Sequence, residues 1–135
     1  MHNTAGRHTN TIAIVTGGAQ GVGFAIARQL VREGCTRLIL AGRDAEKGVR
    51  ASAELAELGA TAQFIALALQ DLDACLAFTK RAVAAFGAVN VPVNAAPLGA
   101  PGPLADTPVV PSPLMFHTTS RAPFPLIQRH LRPRL

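Results

Sequence analysis

Glycines recur at positions 17, 18, 21 and 23 within Thr16-Gly17-Gly18-Ala19-Gln20-Gly21-Val22-Gly23. Such spacing lets the backbone turn sharply and bring its N–H groups up to a phosphate, and a helix starting inside the stretch adds the positive end of its dipole. The chemistry on offer is anion capture by the main chain, with Thr16, Gly17, Gln20, Gly21, Val22 and Gly23 as the candidate contacts. A tight strand-to-helix turn without a ligand is the plainer reading. No Gly-Lys-Ser/Thr follows, which excludes the loop used by P-loop triphosphatases. The next candidate is Arg43, about 20 positions beyond the glycines, where a dinucleotide-binding unit places the residue that meets the adenosine ribose. An acid there accepts the ribose hydroxyls, whereas Arg favours a 2′-phosphate, so NADP is expected over NAD. Arg43 also reads as an exposed loop charge. Asp44 could be the ribose acceptor displaced by one residue, but its place before a helical run favours an N-cap.

Little else in the chain suggests a reaction. There is no Tyr or Trp, so no mechanism that needs a phenolic acid, base or nucleophile is open. Ser112 and Ser120 lie in a Pro-rich stretch without a partner base and read as loop serines. His2, His8, His117 and His130 are scattered with no pair at ligand spacing, so no metal site is assigned. Cys35 and Cys75 fall in apolar stretches and read as buried free thiols of a reducing compartment.

The glycine stretch gains meaning from the elements around it. Ile12 to Val15 is an apolar β-branched run that predicts a strand, and Phe24 to Glu33 repeats apolar residues at helical spacing until Gly34. Arg37 to Ala41 predicts a second strand, and Asp44 caps a helix that Gly59 ends. Ala62 to Leu67 predicts a third strand, Asp71 caps a third helix that runs to Gly87, and Val89 to Val93 predicts a fourth strand. Strands alternating with helices of this length mean a parallel sheet covered on both faces, an α/β fold. The glycines therefore sit after a strand and before an amphipathic helix, the context that a dinucleotide-binding fingerprint requires.

Composition sets the outer bounds. A chain of 135 residues, 49% hydrophobic and 16% charged, fits one folded domain and is too apolar for disorder throughout. The net charge of +5 owes much to Arg129, Arg132 and Arg134 near the end, and without aromatic interleaving it reads as solvated surface instead of a nucleic-acid site. No apolar run approaches the roughly 18 residues of a membrane helix, and the start has no apolar leader core, so a soluble cytoplasmic protein is expected. All ten prolines lie from Pro92 onward. They divide the chain into a polar, disordered segment 1–10, a half-domain 11–96 and an irregular Pro-rich tail 97–135.

On these residues the chain resembles the short-chain dehydrogenase/reductase (SDR) family, whose Thr-Gly-x-x-x-Gly-x-Gly motif is met by Thr16, Gly17, Gly21 and Gly23. Leu40-Ala41-Gly42-Arg43 is similar to the end of that family's second strand, Val91 to Pro97 to its Asn-Asn-Ala-Gly segment, and Arg121-Ala122-Pro123-Phe124 to part of its fourth helix. The resemblance covers only the family's N-terminal half, and its motifs are degenerate. The Asp near the adenine is Ala68 here, Asn-Asn-Ala-Gly is Asn94-Ala95-Ala96-Pro97, and the fourth-helix Asn that orders a relay water corresponds to Thr119. It implies a truncated Rossmann-like sheet of about four strands and three flanking helices, NAD(P) binding with Asn94 among the contacts, and an oxidoreductase ancestry. The family's catalytic Tyr and Lys have no counterpart, so no catalytic residue is assigned and this chain by itself is expected to be inactive. The alternative is a non-enzymatic module that binds a nucleotide or a protein. With five prolines between 108 and 125 the fourth helix is expected not to form intact, which leaves the fourth strand as an exposed edge prone to self-association.

Overall fold

A computed structural model of the chain describes residues 6–96, 103–106 and 117–131. Strands β1 (Ile12–Thr16), β2 (Arg37–Gly42), β3 (Thr61–Ala66) and β4 (Val91–Asn94) form one parallel sheet in the order β3, β2, β1, β4. Helices α1 (Gly21–Arg32), α2 (Ala45–Glu57) and α3 (Leu72–Phe86) connect them, giving the Rossmann-like half-fold that the sequence predicts.

The continuous apolar runs of β1 and β2 are explained by burial on both sides, since consecutive strand residues point to opposite faces. Ala13, Val15, Leu38 and Leu40 pack against α1 and α2 through Ala27, Val31, Ala51 and Leu55. Ile12, Ile14, Ile39 and Ala41 meet Cys75, Phe78 and Ala82 of α3 on the other face. The caps are where the sequence puts them. Asp44 accepts the Lys47 N–H at 3.1 Å and Asp71 the Ala74 N–H at 3.1 Å, so both carboxylates also face a helix N-terminus. Asn90 pins the start of the sheet, its Oδ1 accepting the Ile12 N–H at 2.9 Å while its Nδ2 donates to the Asn10 carbonyl at 2.8 Å.

Two expectations are corrected. Residues 6–10 are ordered, not disordered: the His8 N–H donates to the Glu33 carbonyl at 2.9 Å, and the His8 ring lies 3.4 Å from the Glu33 carboxylate. Residues 1–5 lie outside the described residues. The second correction concerns the tail, where Pro123–Leu131 forms a helix, α4, packed against α3 and β4. Pro123 and Pro125 occupy its first turn, whose N–H groups have no intrahelical acceptor, so neither proline removes a bond and the first supplies a helical φ. A π-helical turn, His117–Arg121, leads into it and buries Thr118, while Ala122 is buried against the α3 face of the core. Pro108, Pro111, Ser112, Pro113 and the apolar residues 114–116 lie outside the described residues. Smaller shifts affect α1, which begins at Gly21 instead of Phe24, and β4, which begins at Val91 instead of Val89.

Both thiols are buried, Cys35 at 1% and Cys75 at 0% exposure. Burial pushes both above the ordinary thiol range, and the Asp71 charge adds to the rise at Cys75. Below roughly pH 8.5 the thiols are neutral whether the chain is folded or not. Above it the unfolded chain ionises first, so stability falls as pH rises. Denaturant midpoints at about pH 7.5 and 9.5 should therefore differ more in the wild type than in a Cys35→Ala/Cys75→Ala variant. Equal differences in the two proteins would reject the thiols as the cause.

Candidate functional site

In a parallel sheet the loops that leave the C-terminal strand ends all gather at one edge. Here that edge holds a cleft of about 810 Å³. Its floor and one wall are the glycine loop after β1, represented by Gly17, Ala19, Gln20 and Gly21. The loop after β2 contributes Gly42, Arg43 and Asp44, and the loop after β3 contributes Leu67, Leu69 and Gln70. Ala95, Ala96 and Thr118 close the remaining side.

Three glycines of the loop are needed for three different reasons. Gly17 has φ +66°, and a Cβ there would stand 2.7 Å from the Ala95 carbonyl oxygen, so it permits the loop to touch the chain leaving β4. A Cβ on Gly23 would stand 2.2 Å from the Gly17 carbonyl oxygen, so it permits α1 to start directly under the loop. Gly21 has φ +56°, yet a Cβ there would meet nothing within 4 Å, because it faces the open cleft. Backbone N–H groups at the first turn of α1 have no intrahelical acceptor, and no acidic side chain sits in that turn. An anion entering the cleft over Gly21 therefore meets unsatisfied donors and the positive end of the helix.

Two cations stand at the rim near this point, Arg43 and Lys47. The Lys47 ammonium donates to Gln20 Oε1 at 2.7 Å and lies 3.9 Å from Asp44 Oδ2, tying the first turn of α2 to the glycine loop. Gln20 is the N-cap of α1 but makes no side-chain cap bond, since its amide is engaged with Lys47. The Asp44 carboxylate is committed to capping α2, in line with the N-cap reading.

Of the residues expected at the site, Gly17, Gln20, Gly21, Val22 and Arg43 line the cleft together. Thr16 and Gly23 lie behind it: Thr16 is 2% exposed and its hydroxyl donates to the Val93 carbonyl at 3.4 Å. Asn94 differs from expectation. It is exposed at the end of β4 and is not among the residues that line the cleft. Ala95 and Ala96 appear in the sequence only as altered positions of the Asn-Asn-Ala-Gly segment, and Lys47 and Thr118 were not expected at the site. For Lys47 a signal exists, one helical turn beyond the capping Asp44. For Thr118, whose buried hydroxyl has no hydrogen-bond partner among the described residues, the sequence gives none. Among the described residues no group of three His, Cys, Asp or Glu could hold a metal, and no helix is long and apolar enough to cross a membrane.

The same fold is found in known proteins. The family model described as short chain dehydrogenase matches residues 11–133. The chain belongs to the short-chain dehydrogenase/reductase family. Carbonyl reductase (NADPH) 3 of Homo sapiens is 35% identical over 83 residues, which cover 62% of this chain and 30% of that protein. Among solved structures, a short chain dehydrogenase of Burkholderia cenocepacia in complex with NADP superposes with a TM-score of 0.83 at 28% identity, covering 93% of this chain and 51% of that one. A metagenomic short-chain oxidoreductase in complex with NADP gives 0.80 at 32% identity, covering 97% and 57%. The chain thus spans about half the length of these solved SDR proteins and about a third of the curated one.

Proposed function

We propose that this chain is the NADP-binding half of an SDR oxidoreductase, and that by itself it holds the dinucleotide without transferring hydride. The observation that carries the reading is the meeting, in one cleft, of the open backbone at Gly21 with the two cations Arg43 and Lys47. A bare pyrophosphate fits the open space over Gly21, with N–H groups of Gln20, Gly21 and Val22 as its donors. Gly17 and Gly23 keep the loop close to its supports, and Thr16 holds the loop to β4 from below. Arg43 takes the 2′-phosphate, and Lys47 leaves Gln20 to join it. A nicotinamide held there would be the hydride source in a complete oxidoreductase. The proton that carbonyl reduction also needs has no phenolic donor here, because the chain contains no Tyr. The two buried free thiols are consistent with work in a reducing cytoplasm.

Calorimetric titration of NADP and NAD tests the reading. A well-formed contact between a cation and a phosphate contributes on the order of 1.5 to 3 kcal/mol, less at an exposed site. Arg43→Ala and Lys47→Ala should each weaken NADP roughly threefold to tenfold and leave NAD unchanged. Equal affinity for the two dinucleotides in all three proteins would remove both cations from the site. The second reading, a protein-binding module that also self-associates, draws on β4, whose outer edge has no partner strand among the described residues.

A further inference from the structure

The two cations at the rim of the cleft are not equivalent. Arg43 is exposed, and its side chain has no ion pair or hydrogen bond among the described residues. Lys47 is tethered: its ammonium donates to Gln20 Oε1 at 2.7 Å and stands 3.9 Å from Asp44 Oδ2. The bond to Gln20 crosses the rim and joins the glycine loop to the first turn of α2, 27 residues further along the chain. Neither end of this strap serves its own helix. A cation in the first turn of α2 faces the positive end of that helix's dipole. Gln20 stands at the N-cap of α1, yet its side chain satisfies none of the open N–H groups there and is turned to Lys47 instead. Capping and dipoles therefore account for neither side chain, and both residues line the cleft.

We infer that the Gln20 side chain holds Lys47 back from the ligand and thereby lowers the preference of this site for NADP over NAD. Gln20 is then a positioning residue that acts through Lys47. The inference rests on the NADP reading above and adds to it a contact that must break before the second cation can act. In the free chain the ammonium is either bound to the amide or released, and only the released form reaches a 2′-phosphate. Arg43 needs no release. The apparent affinity of a ligand falls in proportion to the fraction of molecules in the competent form, so a strap closed in about two-thirds of them weakens NADP about threefold. NAD has no 2′-phosphate and loses nothing through Lys47. An exposed bond between an ammonium and a neutral amide is weak enough to open at this level. A phosphate offers the same ammonium a charged acceptor in place of an uncharged one, so the exchange runs toward the ligand once it arrives.

A double-mutant cycle tests it. Dissociation constants for NADP and for NAD are measured by calorimetry on wild type, Gln20→Ala, Lys47→Ala and Gln20→Ala/Lys47→Ala, with circular dichroism confirming that each variant is folded. The quantity read is the ratio of the two constants in each protein, which cancels any effect of Gln20→Ala on the pyrophosphate end that both ligands share. Gln20→Ala should raise the preference for NADP about threefold when Lys47 is present and change it by less than about 1.5-fold when Lys47 is absent. A preference that falls or stays constant in Gln20→Ala overturns the inference. So does an equal rise in both backgrounds, because Gln20 would then act without Lys47. In both of these cases a wild type that prefers NADP, and loses the preference in Arg43→Ala, leaves the NADP reading standing. A wild type with no preference, or one that binds neither dinucleotide, overturns that reading and this inference together.

Discussion

Alanine at position 23 should cost the fold about 3 kcal/mol or more, while alanine at position 21 should cost about 1 to 2 and abolish dinucleotide binding. The contrast comes from what each new Cβ meets. At Gly23 it would lie 2.2 Å from the carbonyl oxygen and 2.7 Å from the carbonyl carbon of Gly17, backbone atoms that cannot rotate aside. The start of α1 must then move off the loop, and Ala27 and Val31 move with it out of their packing against β1 and β2. At Gly21 the Cβ meets nothing, and the cost is that of a left-handed backbone at φ +56° in a residue with a side chain. The methyl group projects, however, into the space over the loop where the pyrophosphate belongs. Urea unfolding followed by circular dichroism measures the first effect and calorimetry the second. A Gly23→Ala protein within about 1 kcal/mol of wild type would mean that the loop yields more easily than its contacts indicate.

Purified and supplied with NADPH, the chain should reduce no ketone and oxidise no alcohol above blank. A positioned general acid typically contributes 10² to 10⁴-fold, and the phenol that the SDR resemblance assigns to this task is absent from the sequence. Ser120 offers no substitute, since it is exposed on the turn before α4 and no side-chain base is bonded to it among the described residues. A panel of ketones assayed by NADPH absorbance checks this directly. Turnover that scales with protein and disappears in Gly21→Val would show that the cleft performs the reaction by another route.

Much of this was legible in the residues because local chemistry and global position agree in the first 96 of them. Asp44 and Asp71 cap the helices that follow them, the glycines leave α1, α2 and α3 at Gly34, Gly59 and Gly87, and each apolar run became a strand within two residues at either end. The misses share a cause. Proline was weighed as a helix breaker without its position in the turn, so Pro123 and Pro125 counted against a helix whose first turn they fill. His8 looks like part of a polar leader until Glu33 is brought beside it by the fold. Lys47 and Thr118 reach the cleft through tertiary placement. Asn94 followed a motif resemblance and stands at the exposed end of β4, outside the lining of the cleft.

The Asn90 side chain, which holds Ile12 and Asn10, closes a contact across 78 residues. β1 lies between β2 and β4, so its second neighbour is the last of the four described strands to be made. On a ribosome the three-stranded unit up to Ala66 is complete while β1 still has one open edge and an apolar face without α3. Closing so long a loop adds little to the equilibrium cost, roughly 0.6 kcal/mol per doubling of length, but distant parallel pairing is slow. At roughly 5 to 20 residues per second, the stretch from β3 to β4 takes on the order of 1 to 6 s to emerge. For that interval the nascent chain shows a mostly apolar central strand with one edge unpaired, the window in which a chaperone or an aggregate would reach it first.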